Sequence, residues 1–278
     1  MRVLVLGSGV DALLAAHAAA LRGHDIDIVG SNEKEELLGN PILPIPVPMA
    51  AEKPSLISFL GDDRFSALSK KAQVSARFQF TPNNDWEGGN SYFVTSARKA
   101  YDWLWATYGR FVDAGVSIST VMDFVFKADN DVYDAVISAV PAPSICANPA
   151  HSFPSDRVMG ASADSFVKKR LGGLLLQDHS GIFMCNGRVD TSWFRMSLLD
   201  DNCWMEWPAD AKPIYVPISE RRSVVYPALT TCDCWPNILK VGREGRWKSE
   251  GHFVSNVFGD VLYYLEEMEQ KGEREQRN

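Results

Sequence analysis

Apolar and polar residues follow two different periods along this 278-residue chain, and the changes of period mark out its elements. Residues 2–6 (RVLVL) form a short continuous apolar run, suited to a strand buried on both faces. Residues 10–22 are almost all Ala and Leu, a strong helical stretch that stops at Gly23. Residues 25–29 (DIDIV) supply a second strand. The acidic run at 33–36 reads as a solvated loop or a first helical turn. Residues 41–48 (PILPIPVP) carry four prolines, which exclude a helix or a central strand and leave an extended segment. It is either a rigid crossover or a stiff wall beside a ligand.

Residues 50–95 are mixed, with apolar patches at 56–60 and 78–80 and turn clusters at 82–85 and 88–90. Ser96 then reads as the N-cap of a helix running to about Ala114. Its stripe of Tyr101, Trp103, Leu104, Trp105, Tyr108 and Phe111 fits core packing. Residues 115–119 and 121–127 read as strands, and 134–141 as an apolar strand ending in a proline turn, so the sheet begun at residue 2 is completed here. Residues 150–235 are rich in Trp, Phe, Gly and Pro. Their short alternating runs, such as 181–185 and 193–197, suit antiparallel strands in a second, substrate-facing region. Residues 237–243 are a strand entering a glycine turn, 244–252 a polar loop, and 253–268 a helix. The charged tail at 269–278 is expected to fray.

The chemistry starts at residues 7–12 (GSGVDA), a G-x-G-x-x-A turn placed between the first strand and its helix. Strand, glycine turn, helix and strand come in the order that a dinucleotide-binding unit requires. Gly7 permits the tight turn, Gly9 lets a pyrophosphate approach the backbone, and Ala12 lets the helix pack closely on the sheet. Val10 and Asp11 open the helix, whose N-terminal amides point at the phosphates. The acid that usually ends the second strand and holds the adenosine ribose is missing. That strand ends at Val29, Gly30, Ser31, Asn32 and Glu33; Asp27 alternates inside it, which leaves Ser31 or Glu33 as substitutes. The strand, loop and helix start at 237–253 form a second place where backbone amides can meet an electron-rich ligand atom.

Composition narrows the class further. Hydrophobic residues at 46% and charged residues at 23% describe an ordinary globular protein. A net charge of −7 argues against a broad nucleic-acid-binding face, though not against a local basic patch. No apolar run spans a bilayer, and the chain enters its first strand at once, so neither a membrane anchor nor a cleavable signal is expected. Five cysteines, an odd number, suggest reduced thiols and a cytoplasmic setting. Cys232 and Cys234, with only Asp233 between them, are too close for the usual zinc knuckle, and no His-rich stretch is nearby. They read as buried or loop thiols, with no metal expected.

Four stretches give the chain a family resemblance. They are the glycine turn; Leu38, Gly39 and Asn40, similar to a "GGN" after the second strand; residues 133–141, similar to "D-x-V-I-x-x-x-P"; and residues 237–247, similar to "N-I-x-x-x-G-R-x-G-x-W/Y". Residues 191–197 also look like a "P-W-Y-R-x-S" strand. On these residues the chain resembles a shortened member of the FAD-dependent flavoproteins that include UDP-galactopyranose mutase, protoporphyrinogen oxidase and the amine oxidases. The resemblance implies an α/β fold: a Rossmann-like FAD-binding domain of the flavoprotein type with an inserted mixed α+β substrate domain. The FAD-binding parts would be 1–40, 96–148 and 236–278, and the substrate domain 41–95 and 149–235. FAD would lie extended from Gly7, Gly9, Val10, Asp11 and Ala12, with Ser31, Gly39 and Asn40 near it. The presumed strands at 116–125 would approach the adenine. Gly242, Arg243, Gly251 and Phe253 would sit by the pyrophosphate or the pyrimidine edge of the flavin. The tyrosine and arginine pair that the mutases use for the nucleotide diphosphate has no clear counterpart.

The chemistry expected first is FAD-dependent oxidation of a C–N bond in an amine or amino-acid group. Arg195, Trp247, Lys248 and His252, with Trp193, would line that pocket, and Arg195 could pair with a substrate carboxylate. Compact flavoproteins of this look occur in phage pathways that trim amino-acid groups installed on thymine, which makes a modified base of DNA a possible substrate. The alternatives are a redox-neutral mutase on a sugar nucleotide, using Arg195, Lys212, Arg221 and Arg222, and a non-catalytic flavin-binding scaffold. The sequence sets neither the substrate nor the oligomeric state.

Overall fold

Val3 to Leu6 are completely buried, and this aliphatic run forms the central strand of a parallel sheet in the computed structural model. The structure describes residues 1–35, 41–42, 47, 55–60, 90–92, 95–127, 132–163, 181–186, 195–199, 202–208, 218–227, 232–248 and 254–277. In chain order the strands are β1 (Arg2–Leu6), β2 (Asp25–Val29), β3 (Pro41–Ile42), β4 (Ser55–Leu60), β5 (Asn90–Tyr92), β6 (Thr95–Ser96), β7 (Val112–Asp113), β8 (Ala135–Ser138), β9 (Ser155–Ala163), β10 (Gly181–Asn186), β11 (Arg195–Leu199), β12 (Asn202–Pro208), β13 (Ile218–Pro227) and β14 (Ile238–Lys240). The α-helices are α1 (Val10–Leu21), α2 (Ala97–Tyr108), α3 (Ile118–Lys127), α4 (Ala142–Ile145), α5 (Gly242–Arg246) and α6 (Val254–Arg277). Among the described residues no helix is long and apolar enough to cross a membrane.

The chain divides into two compact units. The first comprises Met1–Glu36, Tyr101–Pro154 and Pro227–Asn278, and the second Leu37–Ala100 and Ser155–Tyr226. The sheet of the first unit runs β14-β8-β1-β2-β7, and every pairing in it is parallel. Side chains alternate across β1. Leu4 and Leu6 join Val29, Val121, Met122, Val136, Val140, Ile145 and Ile238 in one core cluster, while α1 packs on β1, β2 and α6. Because β2 and β8 flank β1 on opposite sides, the connection reverses direction at the carboxyl end of β1. That crevice is where open α/β sheets bind ligands.

The second unit holds a mixed sheet in the order β13-β9-β12-β11-β10-β4-β5. The Trp- and Gly-rich stretch does form antiparallel strands, β9 to β12 and β10 to β11 among them, with β4 added parallel to β10. Gly160 in β9 faces Trp204 in β12: a Cβ there would lie 2.1 Å from the indole, so only glycine fits. The Trp204 indole donates to buried Glu206 at 3.0 Å.

Three expected elements differ. Residues 118–127 are a helix, not strands. Ile118, Val121 and Met122 recur at helical spacing on the core face, and Ser117 Oγ accepts from the Thr120 amide at 3.1 Å as an N-cap. Ser96 does cap α2, accepting from the Lys99 amide at 3.3 Å, but the helix ends at Tyr108 and passes through a 3-10 turn into edge strand β7. The charged tail is helical through Arg277, the end of α6, and Glu269 on it pairs with Arg22 at 2.6 Å.

Candidate functional site

The site builds up from the turn that closes β1. Gly7 has φ +112°, a conformation open to glycine, and its amide donates to Val29 O at 2.8 Å, which ties the turn to β2. A Cβ on Gly7 would meet Ala12 Cβ at 3.3 Å, so the small residue at position 12 belongs to the same close fit. Gly30, at the end of β2, is pressed against this turn: a Cβ on it would lie 2.8 Å from the Gly7 carbonyl carbon and 2.9 Å from Ser8 N. Gly9 differs. It is the N-cap of α1 at φ −70°, and among the described residues a Cβ there would meet only Glu35 Oε2, at 3.5 Å. Among the described residues nothing else approaches the backbone at Gly9, at the start of a twelve-residue helix.

Neighbouring turns fix the rim. Tyr101 in α2 donates its hydroxyl to Ser8 O at 3.0 Å and accepts from the Glu35 amide at 3.3 Å, which brings Glu35 to the turn. Lys34 pairs with Asp102 next door. Ser31 donates its amide to Ser8 Oγ at 3.1 Å, and its own hydroxyl accepts from Glu33 N at 3.1 Å. The turn after β14 closes the other side. Gly242 has φ +73°, and a Cβ on it would lie 2.1 Å from Asp11 Oδ2. Gly245 in α5 sits on the end of β8, where a Cβ would be 3.0 Å from Ser138 O.

The electrostatics of this cradle are unusual for a phosphate site. Asp11 is half-buried, with its Oδ1 shut off from solvent and without a hydrogen-bond partner among the described residues. Burial raises its pKa from 3.8 to about 7, Arg243 opposes the rise, and Glu244 and Glu35 reinforce it. Burial, then Glu244, also raises Glu35. Near neutral pH Asp11 thus carries only part of its formal charge.

The structure brings together Gly7, Gly9, Val10, Asp11, Ala12, Ser31, Gly242 and Arg243 of the sequence-based set. Gly39, Asn40, Gly251, Phe253, His252 and Trp193 lie outside the described residues, as does the side chain of Arg195 on β11. Asp27 is occupied elsewhere, pairing with Arg2 at 2.8 Å. Trp247 is packed rather than presented to a pocket: it is 9% exposed, its indole donates to Pro154 O at 2.9 Å, and Phe153 stacks edge-on at 5.8 Å. The residue ends α5 in a left-handed conformation, and the Lys248 amide completes that cap by donating to Arg243 O at 2.9 Å. Residues 242–246, expected as turn and loop, are helical.

Sequence reasoning missed Glu35, Gly30 and Tyr101 as parts of the site. Glu35 was hidden because it follows the strand by several residues and reaches Gly9 only through Tyr101. Cys232 and Cys234, read as buried or loop thiols, are free and half-buried, and they have neighbours that the sequence did not show. Their sulfur atoms lie with Cys146 Sγ and a ring nitrogen of His151, all within 4.8 Å of one another. Position 146 precedes Cys232 by 86 residues, so no local spacing could show it.

The sequence matches no protein-family model and no curated protein. Solved structures do resemble it in fold. Reduced UDP-galactopyranose mutase aligns at TM-score 0.53 and 10% identity, over 95% of this chain and 93% of that one. The p-nitrophenol 4-monooxygenase PnpA of Pseudomonas putida aligns at 0.53 and 10% identity, over 96% and 78%. CtdE, solved in complex with FAD and a substrate, aligns at 0.52 and 11% identity, over 94% and 79%. The fold is therefore the α/β fold of FAD-binding flavoproteins.

Proposed function

We propose that this chain holds FAD at the turn after β1 and acts as an FAD-dependent oxidoreductase on a C–N bond of an amine or amino-acid group. One observation carries the cofactor reading. Gly7, Gly30 and Gly242 are glycine because neighbouring backbone or side chain occupies the space of a Cβ or because φ is positive, whereas among the described residues Gly9 meets only Glu35 Oε2 at 3.5 Å. Close packing around three glycines and clearance over a fourth, at the start of α1, suit a pyrophosphate. Bound FAD supplies a two-electron acceptor for a hydride from the carbon beside nitrogen.

The protein's part is binding and orientation. The amides at the start of α1 face the phosphates. Arg243 supplies the cation, and a protonated Asp11 beside it removes a repulsive charge. Glu35, beside Gly9, takes the place of the missing ribose acid. Arg195 remains the candidate for a substrate carboxylate, and Lys248 and His252 remain candidates for contacts to the substrate. A modified thymine of DNA falls within the same substrate class, although the net charge of −7 disfavours an extended DNA contact.

A second reading has its own support, since the likeness to the mutase covers 93% of that chain. In it the protein rearranges a sugar nucleotide without net redox change. The visible spectrum of the purified protein, with mass spectrometry of the released cofactor, tests the common premise. Flavin bands and an FAD mass are expected. A colourless protein that also fails to take up added FAD overturns both readings. Oxygen consumption and peroxide with amines or modified DNA separate the oxidase from a mutase, which turns over only after reduction. A flavin-loaded protein inactive in every arm returns the scaffold alternative.

A further inference from the structure

The first unit contains a cluster that the flavoprotein reading leaves unused. Cys146 follows α4, His151 lies five residues on, and Cys232 and Cys234 precede β14. The Cys146 sulfur is 3.7 Å from that of Cys232 and 3.9 Å from that of Cys234. His151 Nδ1 is 3.4 Å from Cys146 Sγ and 3.6 Å from Cys234 Sγ. A tetrahedral zinc with the usual bond lengths places two sulfur ligands about 3.8 Å apart, and a sulfur and a nitrogen about 3.6 Å apart. The four measured edges match that tetrahedron. They are far too long for a disulfide, whose sulfurs lie about 2.05 Å apart.

We propose that Cys146, His151, Cys232 and Cys234 bind one zinc ion as a closed structural site. Three thiolates and a neutral imidazole around Zn²⁺ carry a net charge of −1, and the three thiol protons leave on binding. Lys240 offsets this charge: its ammonium is 3.9 Å from Cys232 Sγ and donates to Cys232 O at 3.2 Å. Metal at Nδ1 puts the imidazole proton on Nε2. There Asp233 Oδ1 lies 4.0 Å away and the Asn148 side-chain amide 3.0 Å away. Turning that amide over presents its oxygen to Nε2–H, the outer-shell hydrogen bond that metal-bound histidines make. Four protein ligands fill the tetrahedron and leave no open position for catalysis.

The ion would join the loop after α4 to the segment that leads into β14. Trp235, next to the last ligand, has φ +67°, a rare conformation for a bulky residue, and its indole donates to Ile145 O at 2.7 Å. Zinc would hold this strained corner, and through β14 the turn that carries Gly242 and Arg243.

The test uses the full chain, purified anaerobically without chelator or histidine tag. Elemental analysis should give one zinc per chain. Cobalt exchanged into the site should show thiolate charge-transfer and tetrahedral ligand-field bands, and X-ray absorption should report three sulfur neighbours and one nitrogen. Cys146→Ser and Cys234→Ser should lose stoichiometric zinc, while Cys203→Ala, at a buried cysteine in the second unit, should keep it. Should the ligand variants not fold, titrating the wild type with an organomercurial should release one zinc as three thiols react. The proposal is overturned by a chain with neither zinc nor uptake of added cobalt, by a disulfide among these cysteines in the anaerobic protein, or by an oxygen-rich metal shell. Zinc content is read independently of flavin, so failure here and failure of the FAD reading are distinct results.

Discussion

Asp11 offers the sharpest test of the cradle, because its environment sets the sign of a pH effect. The residue is half-buried with its Oδ1 shut off from solvent, and its pKa moves from 3.8 to about 7, chiefly through desolvation. The folded protein therefore keeps this proton up to about pH 7, while the unfolded chain releases it near pH 4. Between those values the folded state binds more protons, so this group makes stability fall as pH rises, with no further change above the folded pKa. A shift of roughly three units at 1.36 kcal/mol per unit sets the whole effect at about 4 kcal/mol. Asp11→Asn keeps the shape and removes the ionisation. The variant should match the wild type at pH 4 and exceed its stability at pH 8, by up to about 4 kcal/mol on the same reasoning. Urea unfolding of both proteins, stripped of flavin and followed by tryptophan fluorescence across this range, gives the difference. Effects of pH on other groups cancel in it, including zinc ligands. A difference that does not change with pH, or a wild type that gains on the variant as pH rises, refutes the buried-carboxyl account.

Other substitutions probe separate contacts. Gly9→Val fills space that, among the described residues, only Glu35 borders, so flavin per chain should fall at least tenfold while the melting temperature of the flavin-free protein stays within a few degrees. Gly30→Ala drives a methyl against Gly7 and Ser8 at 2.8–2.9 Å, and should cost about 1–3 kcal/mol in urea unfolding with or without flavin. Arg246→Met removes the hydrogen bond to Lys240 O at 2.6 Å and the pair with Asp260 at 3.0 Å. It should speed hydrogen exchange in α5 and the start of α6 and cost about 1–2 kcal/mol.

The first thirty residues declared their structure because every determinant is local. An aliphatic run, a glycine turn, an Ala- and Leu-rich helix and a second strand each follow from neighbouring residues, and β1, α1 and β2 fall where the pattern puts them. The strand at Ala135–Ser138 and the antiparallel strands of the Trp-rich stretch were legible for the same reason. Residues 118–127 were not. Short β-branched runs suit either period, and the capping by Ser117 together with the apolar face toward Leu4 and Leu6 decided for helix. In α6, the charged end looked unstable by composition, yet the pairing of Glu269 with Arg22 ties it to the end of α1.

The sequence alone thus determined the dinucleotide-type turn, and its likeness to flavoproteins, because glycine spacing records backbone constraints directly. Tertiary structure alone decided what surrounds that turn. Glu35 reaches Gly9 through Tyr101, Asp11 loses its water to the turn after β14, and Cys146 and His151 meet Cys232 and Cys234. Burial, ionisation and metal geometry all depend on distances in space between residues far apart in the chain, and no local pattern encodes those distances.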